Sequence, residues 1–438
     1  MALHGSLAEL AWRAIGGVAN AAVQWPWRSE SKLARSFRLR RGVASRLRRF
    51  AETERDPARP LVWMHAPSVG EGLQARPVLE ALRAAHPDWQ LAYTFYSPSA
   101  EAFAMRLAVD VADVLPFDTT ANATMLLDTL RPSVLVFSKL DVWPLLVRAA
   151  AQRGVRLAMT SATLRAGSGR ESALVASLLR PAYAALDAVG AITAEDGARL
   201  VRLGVRADAV TVTGDTRYDQ VWARADAAQR ALPFGAPDEA RPLVVAGSTW
   251  PADDAVLLPA WESIVRRWPH ARLMVAPHEP TAAAVERLEA WARSRGLRVA
   301  RVNAADAREA SVVIVDTVGQ LGDLYSAASV AFVGGGFHAA GLHSVLEPAA
   351  YGVPVICGPA SPTQPDAVAL ADASALVRVS STAALLDTLS RWLDHPDARA
   401  QAGAAARLVV MQHRGATTRS VAVIEHLVAS HAANPSSR

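Results

Sequence analysis

From residue 61 onward, short apolar runs rich in β-branched residues alternate with Ala/Leu/Arg-rich stretches whose apolar positions recur every three or four residues. In the first half this rhythm predicts strands at 61–65, 91–96, 111–115, 133–138, 156–161, 188–193 and 210–212, with amphipathic helices such as 73–85 and 142–151 between them. The pattern restarts after the Pro- and Gly-containing stretch 232–242. Strands are then expected at 243–246, 272–276, 297–301, 312–315, 330–333, 353–357 and 376–379. A mostly helical section follows from 383 to about 429, with Pro396 as a break, and 432–438 reads as a frayed tail. The strands are nearly continuous apolar runs, which suits parallel sheets covered on both faces. The fold class is therefore α/β, with two Rossmann-like doubly wound domains facing a cleft. In such sheets ligands sit beyond the C-terminal ends of the strands, where loops and helix N-termini meet.

The first fifty residues follow a different pattern. Leu3, Leu7, Leu10, Ala14 and Val18 form one apolar helical stripe, interrupted elsewhere by His4, Glu9 and Arg13 and weakened by Gly16 and Gly17. Trp25, Pro26 and Trp27 follow. Between Arg28 and Arg49 stand nine basic residues against the single acid Glu30, a local charge of +8 within a chain of net charge +5. An apolar stripe, indoles and arginines together predict a helix lying on an anionic membrane surface. The plainer reading is a solvated basic face on helices packed against the first domain. No basic residue precedes the apolar part and Arg13 interrupts it, so a secretory signal is not expected and the chain should stay in the cytoplasm. No nucleic-acid recognition module accompanies the charge. The resulting division is 1–50 membrane-association segment, 51–214 first domain, 215–241 linker, 242–430 second domain and 431–438 tail.

Composition narrows the class further. A chain of 438 residues with 51% hydrophobic positions holds enough apolar surface for folded domains. No run of 18 apolar residues marks a membrane span. Cys357 is the single cysteine, so neither an intrachain disulfide nor a cysteine-rich zinc site is available.

The residues that carry chemistry all fall at strand ends. His65-Ala66-Pro67-Ser68-Val69-Gly70-Glu71-Gly72 follows the first strand. Glu71 there is either an acid stabilising a helix start or a general base, and a base would need burial or a neighbouring acid to raise its pKa. Lys139 and Asp141 follow the strand 133–138 and are either a surface pair or part of the same cleft as Glu71. In the second half, Gly247-Ser248-Thr249-Trp250-Pro251 links a strand to a helix in anion-binding fashion. His278, in Ala276-Pro277-His278-Glu279-Pro280, is either an anion contact or a capping histidine. Thr317 and Gly319 end another strand with donors suited to a phosphate. Gly334-Gly335-Gly336-Phe337-His338 permits close approach of a ligand to the backbone. It leads into Gly341-Leu342-His343-Ser344-Val345-Leu346-Glu347-Pro348, where Glu347 can accept hydrogen bonds from a ribose diol. GxGxxG at a βαβ start, GxxxxGK[ST] and HExxH are all absent, which disfavours hydride transfer, a P-loop NTPase and a zincin. The histidines lack metal-ligand spacing, and no metal or other cofactor is expected.

Ordered motifs across nearly the whole chain then identify it as similar to the 3-deoxy-D-manno-octulosonic acid (Kdo) transferases, GT-B glycosyltransferases of lipopolysaccharide biosynthesis. These motifs are HAPSVGEG at 65–72, TFYSPSA at 94–100, VFSKLDVWP at 136–144, VTGDTRYD at 212–219, AGSTWP at 246–251, APHEP at 276–280, VDTVGQLGDLY at 315–325 and VGGGFHAAGLHSVLEPAAYGVPVICGP at 333–359. The resemblance implies a donor CMP-Kdo, a lipid A precursor as acceptor, no obligate protein partner, and a place at the cytoplasmic face of the bacterial inner membrane. It makes Glu71 the base and Asp141 a shorter stand-in for a family glutamate. It sets Arg217 against the donor's anionic groups. Ser248, Thr249, His278, Thr317 and Gly319 match donor-side loops, and Glu347 matches the ribose-binding glutamate. Ser344 stands where the common motif has asparagine, which leaves room for a different CMP-ulosonate donor. The same loops would also suit a GT-B-like nucleotide-sugar hydrolase or epimerase, or an inactive membrane-associated binding protein.

Overall fold

A computed structural model describes residues 7–165, 167–231, 235, 237–360 and 364–433. Among these are fourteen strands, in two seven-stranded, wholly parallel sheets. The predicted tail beyond 433, and Leu3 and His4 of the N-terminal stripe, lie outside the described residues. The chain divides into two compact units, Met1–Gln220 with Arg414–Arg438, and Val221–His413.

In the first unit the strands are β1 Leu61–His65, β2 Gln90–Phe95, β3 Val111–Val114, β4 Val134–Ser138, β5 Arg156–Ala162, β6 Ala188–Ala191 and β7 Val210–Val212, in spatial order β3-β2-β1-β4-β5-β6-β7. Chain order reverses between β1 and β4, and that switch point is where a doubly wound sheet opens a crevice at its C-terminal edge. β1, β2 and β4 are buried along their whole length, which suits their mostly apolar sequence. Trp63, Met64, Tyr93, Phe95 and Phe137 fill the core, each fully buried side chain contributing about 1.5–3 kcal/mol.

The second unit repeats the plan with β8 Leu243–Thr249, β9 Arg272–Pro277, β10 Val299–Arg301, β11 Val312–Ile314, β12 Val330–Val333, β13 Val355–Cys357 and β14 Leu376–Arg378. Its order is β10-β11-β9-β8-β12-β13-β14, with the switch point between β8 and β12.

Three expectations about organisation are corrected. The linker 215–241 is largely a helix, Thr216–Ala231, and the division between the units falls inside it. The second domain does not run to 430. Helix Ala416–Ala432 buries Val421, Ile424, Leu427 and Val428 in the first unit's core, because its apolar face covers that unit's sheet. Residues 1–50 are not all a separate membrane segment. Helices Lys32–Arg40 and Val43–Thr53 bury Ala34, Phe37, Leu47 and Phe50 in the first unit. The basic run is partly consumed internally as well. Arg40 is buried over the Tyr96 and Phe117 rings, and Arg35, Arg38 and Arg46 pair with Glu101, Glu30 and Asp113.

Helix Leu7–Ala22 docks on the first unit by its polar side. Glu9 pairs with Arg148, the Trp12 indole donates to Asp118, and Asn20 accepts from Asn122. Its apolar residues face outward instead: Leu10 is 57%, Ile15 66% and Val18 73% exposed, and Trp25 just beyond is 68% exposed. Among the described residues no helix is long and apolar enough to cross a membrane.

Candidate active site

Both switch points carry the candidate residues. In the first unit, β1 ends at His65 and leads through Ser68 into helix Val69–Ala85, whose first turn holds Glu71. β4 ends at Ser138 and leads through Lys139, in the left-handed region at φ 74°, to Asp141. The two loops interlock. The Ser138 hydroxyl donates to the Glu71 carbonyl at 3.1 Å, Lys139 Nζ lies 3.3 Å from Glu71 Oε1, and the Ser68 hydroxyl donates to Glu71 Oε2. Of the two readings of Lys139 and Asp141, the contacts place their loop against Glu71, whose charge also acts on Asp141.

Their electrostatics differ from expectation. Burial pushes the Glu71 carboxyl up, but the Ser68 hydroxyl and the Lys139 charge outweigh it and hold it below its ordinary value. The sequence leaves Glu71 either a helix-start acid or a base that would need a raised pKa; the Ser68 hydroxyl and the Lys139 cation lower it instead, so Glu71 is an ionised acceptor at neutral pH. Asp141 moves the other way. Burial raises it, its partner Arg170 opposes the rise, and the Glu71 charge adds to it.

Behind this pair lies a buried aromatic network. Trp143 Nε1 donates to His65 Nε2 at 3.0 Å; an indole N–H is only a donor, so the proton of neutral His65 sits on Nδ1, 2.9 Å from Thr94 Oγ1. Burial drives His65 down to about 3, which keeps it uncharged. Tyr96 stacks on Trp143 at 4.8 Å. Arg217, expected to face a donor, is held by buried Asp215 through Nη2 at 2.6 Å and Nε at 2.8 Å.

In the second unit, β8 ends in Ser248, itself at φ 55°, and Thr249, and Trp250 precedes helix Pro251–Arg267. The Trp250 ring stacks on His338 at 4.1 Å and on His278 at 4.6 Å, while His278 stacks on His343 at 4.4 Å. Trp250 Nε1 donates to His343 Nε2 at 3.2 Å, and burial lowers the His343 pKa. The structure therefore gathers Ser248, Thr249, His278 and His343 around one indole. His278 does not cap a helix; its ring is a stacking member and its backbone N–H donates to the Thr249 carbonyl. Among the described residues no three metal-ligating side chains converge.

Two readings of this loop region change. The sequence predicts that Gly335 and Gly336 let a ligand approach. The space a Cβ would take is already filled by backbone, the Gly341 carbonyl 2.2 Å from one and the Gly358 nitrogen 2.4 Å from the other. The helix start is likewise expected to offer its N–H groups to an anion. Of the N–H groups in this region, fully buried Asp253 accepts those of Trp250 at 2.8 Å, Gly335 at 2.7 Å and Phe337 at 3.1 Å, so the cap residue and two residues of the glycine-rich loop spend theirs internally. Asp253 does not stand out in the sequence, although its place three residues after Trp250 is that of a capping-box acid.

Glu347, in the short helix Leu346–Ala350, is pushed up by burial, with Arg224 opposing and Asp323 adding to the rise. Arg224 donates to Asp323 at 2.7 Å and to the Gly319 carbonyl at 2.9 Å, so it ties the exposed Thr317–Gly319 loop to the surroundings of Glu347. No sequence pattern marks Arg224, because it lies in the stretch that reads as a linker. Ser344 is exposed and outside the stacked cluster.

Two wholly parallel doubly wound sheets, each with polar groups at its switch point, define an α/β protein of the GT-B fold class. A solved UDP-GlcNAc 2-epimerase from Neisseria meningitidis shares this fold, with a TM-score of 0.59 over 84% of this chain and 100% of that one at 14% identity. Residues 41–220 match the family model of 3-deoxy-D-manno-octulosonic-acid transferase (kdotransferase). The chain is 31% identical to the 3-deoxy-D-manno-octulosonic acid transferase of Bordetella pertussis, covering 94% of this chain and 97% of that protein. It is 24% identical to the Haemophilus influenzae enzyme of the same name over 88% and 91%. The chain belongs to the 3-deoxy-D-manno-octulosonic acid transferase family.

Proposed function

We propose that this protein transfers Kdo from CMP-Kdo to a hydroxyl of a lipid A precursor, in one inverting displacement at the cytoplasmic face of a bacterial inner membrane. The observation that carries the proposal is Glu71, an ionised carboxylate in a helix's first turn, beside Lys139 and Asp141 at the first unit's switch point.

Glu71 takes the proton of the acceptor hydroxyl as its oxygen forms a bond to the anomeric carbon of Kdo. The bond from that carbon to the phosphate oxygen breaks, and its electron pair leaves with CMP. Lys139, held by Glu71, and Arg170, held by Asp141, supply positive charge for a phosphorylated acceptor. The donor belongs to the second unit. Glu347 accepts from the ribose diol, Ser248, Thr249 and Thr317 offer hydroxyls, and His278 and His338 meet the donor's phosphate and carboxylate. With the N–H groups of Trp250, Gly335 and Phe337 taken by Asp253, these side chains supplement the remaining N–H groups of the helix start against the donor's charge.

The outward apolar face Leu10, Ile15, Val18 and Trp25 rests on the bilayer, with exposed Arg28, Lys32, Arg48 and Arg49 supplementing it against anionic headgroups. Purified protein incubated with CMP-Kdo and a lipid A precursor should give a Kdo-extended lipid by mass spectrometry. Glu71→Gln should lower turnover by about 10²–10⁴-fold while CMP-Kdo still binds. CMP release without lipid product, or near-parent turnover in the variant, counts against the reading.

A further inference from the structure

The inner side of helix Leu7–Ala22 reaches the loop that carries Lys139 and Asp141. Trp12 Nε1 donates to Asp118 Oδ2 at 2.8 Å. The same carboxylate, 6% exposed, accepts from the backbone N–H of Leu145 at 3.0 Å and of Leu146 at 2.9 Å, the first turn of helix Pro144–Gln152. That helix begins directly after Asp141-Val142-Trp143. The Trp12 and Trp143 rings lie 6.2 Å apart, and Trp143 is in turn fixed by His65 and Tyr96. Two further contacts lock the helix in register: Glu9 holds Arg148 of helix Pro144–Gln152 through both terminal guanidinium nitrogens, at 2.6 and 2.7 Å, and Gly16 packs so closely that a Cβ would lie 2.8 Å from the Asp118 carbonyl.

An indole is an uncommon choice for a mere tether, and its N–H is spent here on a carboxylate that already caps another helix. We infer that Trp12 and Asp118 are positioning residues that transmit the docking of the N-terminal helix to the loop 139–143. The inference rests on the proposed role of Glu71 and its neighbours in acceptor activation. A helix that presents apolar side chains outward and grips the loop with its inner face makes turnover depend on the membrane surface: the bilayer holds the helix in place, and the helix holds Lys139 and Asp141 in register with Glu71.

Turnover of the full-length protein on CMP-Kdo and a deacylated, water-soluble acceptor tests this without membrane delivery of substrate. Trp12→Phe keeps an aromatic ring, though a smaller one, and deletes the N–H. It should lower kcat about tenfold, the scale on which small misplacements of reacting groups act, with the KM for CMP-Kdo within about twofold of the parent and circular dichroism and melting temperature retained. Asp118→Asn should behave alike. Anionic vesicles should raise the parent's turnover on the soluble acceptor and leave that of Trp12→Phe unchanged. A Trp12→Phe kcat within twofold of the parent, a donor KM that rises in step with the loss, or a parent indifferent to vesicles overturns the inference. Glu71→Gln measured alongside separates the two claims: an inactive Glu71→Gln with a normal Trp12→Phe removes the positioning role alone, whereas an active Glu71→Gln removes the base assignment.

Discussion

At Glu71 the balance of two opposed effects decides the chemistry. Burial favours the protonated acid, but Lys139 and the Ser68 hydroxyl favour the carboxylate and prevail. Removing the cation takes away one of the two opposing effects and should raise the carboxyl's pKa, with the Ser68 hydroxyl still holding against burial. Lys139→Ala is thus expected to move the acid limb of kcat/KM to higher pH, because the carboxylate form is the active one and is lost sooner as pH falls. A limb that stays in place would show that Lys139 does not set the state of Glu71. The pairing is only half legible in the sequence. Glu71, Lys139 and Asp141 stand out as polar residues at strand ends, yet strand ends alone do not fix the sign of a pKa shift. That sign depends on a 3.3 Å separation between residues 68 positions apart. Asp253 shows the same limit more sharply, since its three backbone donors come from Trp250 nearby and from Gly335 and Phe337 far along the chain.

Among the elements, the N-terminal helix departs furthest from a common pattern, because its polar side packs inward. Glu9 is central to that arrangement. Hydrogen bonding to Arg148, ahead of the opposing burial, lowers its pKa to about 2, with Arg13 assisting. A carboxyl whose folded pKa is depressed adds stability above its unfolded pKa and loses it as pH falls toward the folded value. Docking of the helix should therefore weaken from the ordinary carboxylate range down to about pH 2. Limited proteolysis after residue 22, or Trp12 fluorescence, should report this release, and Glu9→Gln should show weaker docking at neutral pH with the acid dependence flattened. An unchanged acid profile in the variant would assign docking to Trp12 and Asn20 alone. The apolar stripe is visible in sequence, and its spacing predicts a helix correctly. Which side faces the protein is not visible there, since periodicity gives the angle between two faces and not the identity of the neighbour.

For the whole molecule, chain continuity and structural unit do not coincide. The last helix returns to the first unit, where Asp219 accepts from Gly415 N and Thr417 N at 2.6 and 2.7 Å, and Ile424 is fully buried. Ile424→Asp is therefore expected to destabilise the first unit by about 3–5 kcal/mol, the scale of an uncompensated buried charge, while the second unit's melting transition stays in place. Calorimetry resolving two transitions checks this; a fall in the transition of Val221–His413 instead would contradict the division.

Read alone, the residues yielded the number of strands, their succession along the chain, their parallel character and the loops that bear chemistry, because period and apolar continuity are local properties of a buried parallel sheet; the order of strands within each sheet came from the fold. The sequence also carried the family, through motifs spread along both halves. Only the tertiary structure decided which glycines serve backbone packing, which cations are already paired, where the final helix belongs and how helix Leu7–Ala22 turns its faces. Each of those outcomes depends on what lies across a contact between residues distant in the chain, and no local pattern encodes that neighbour.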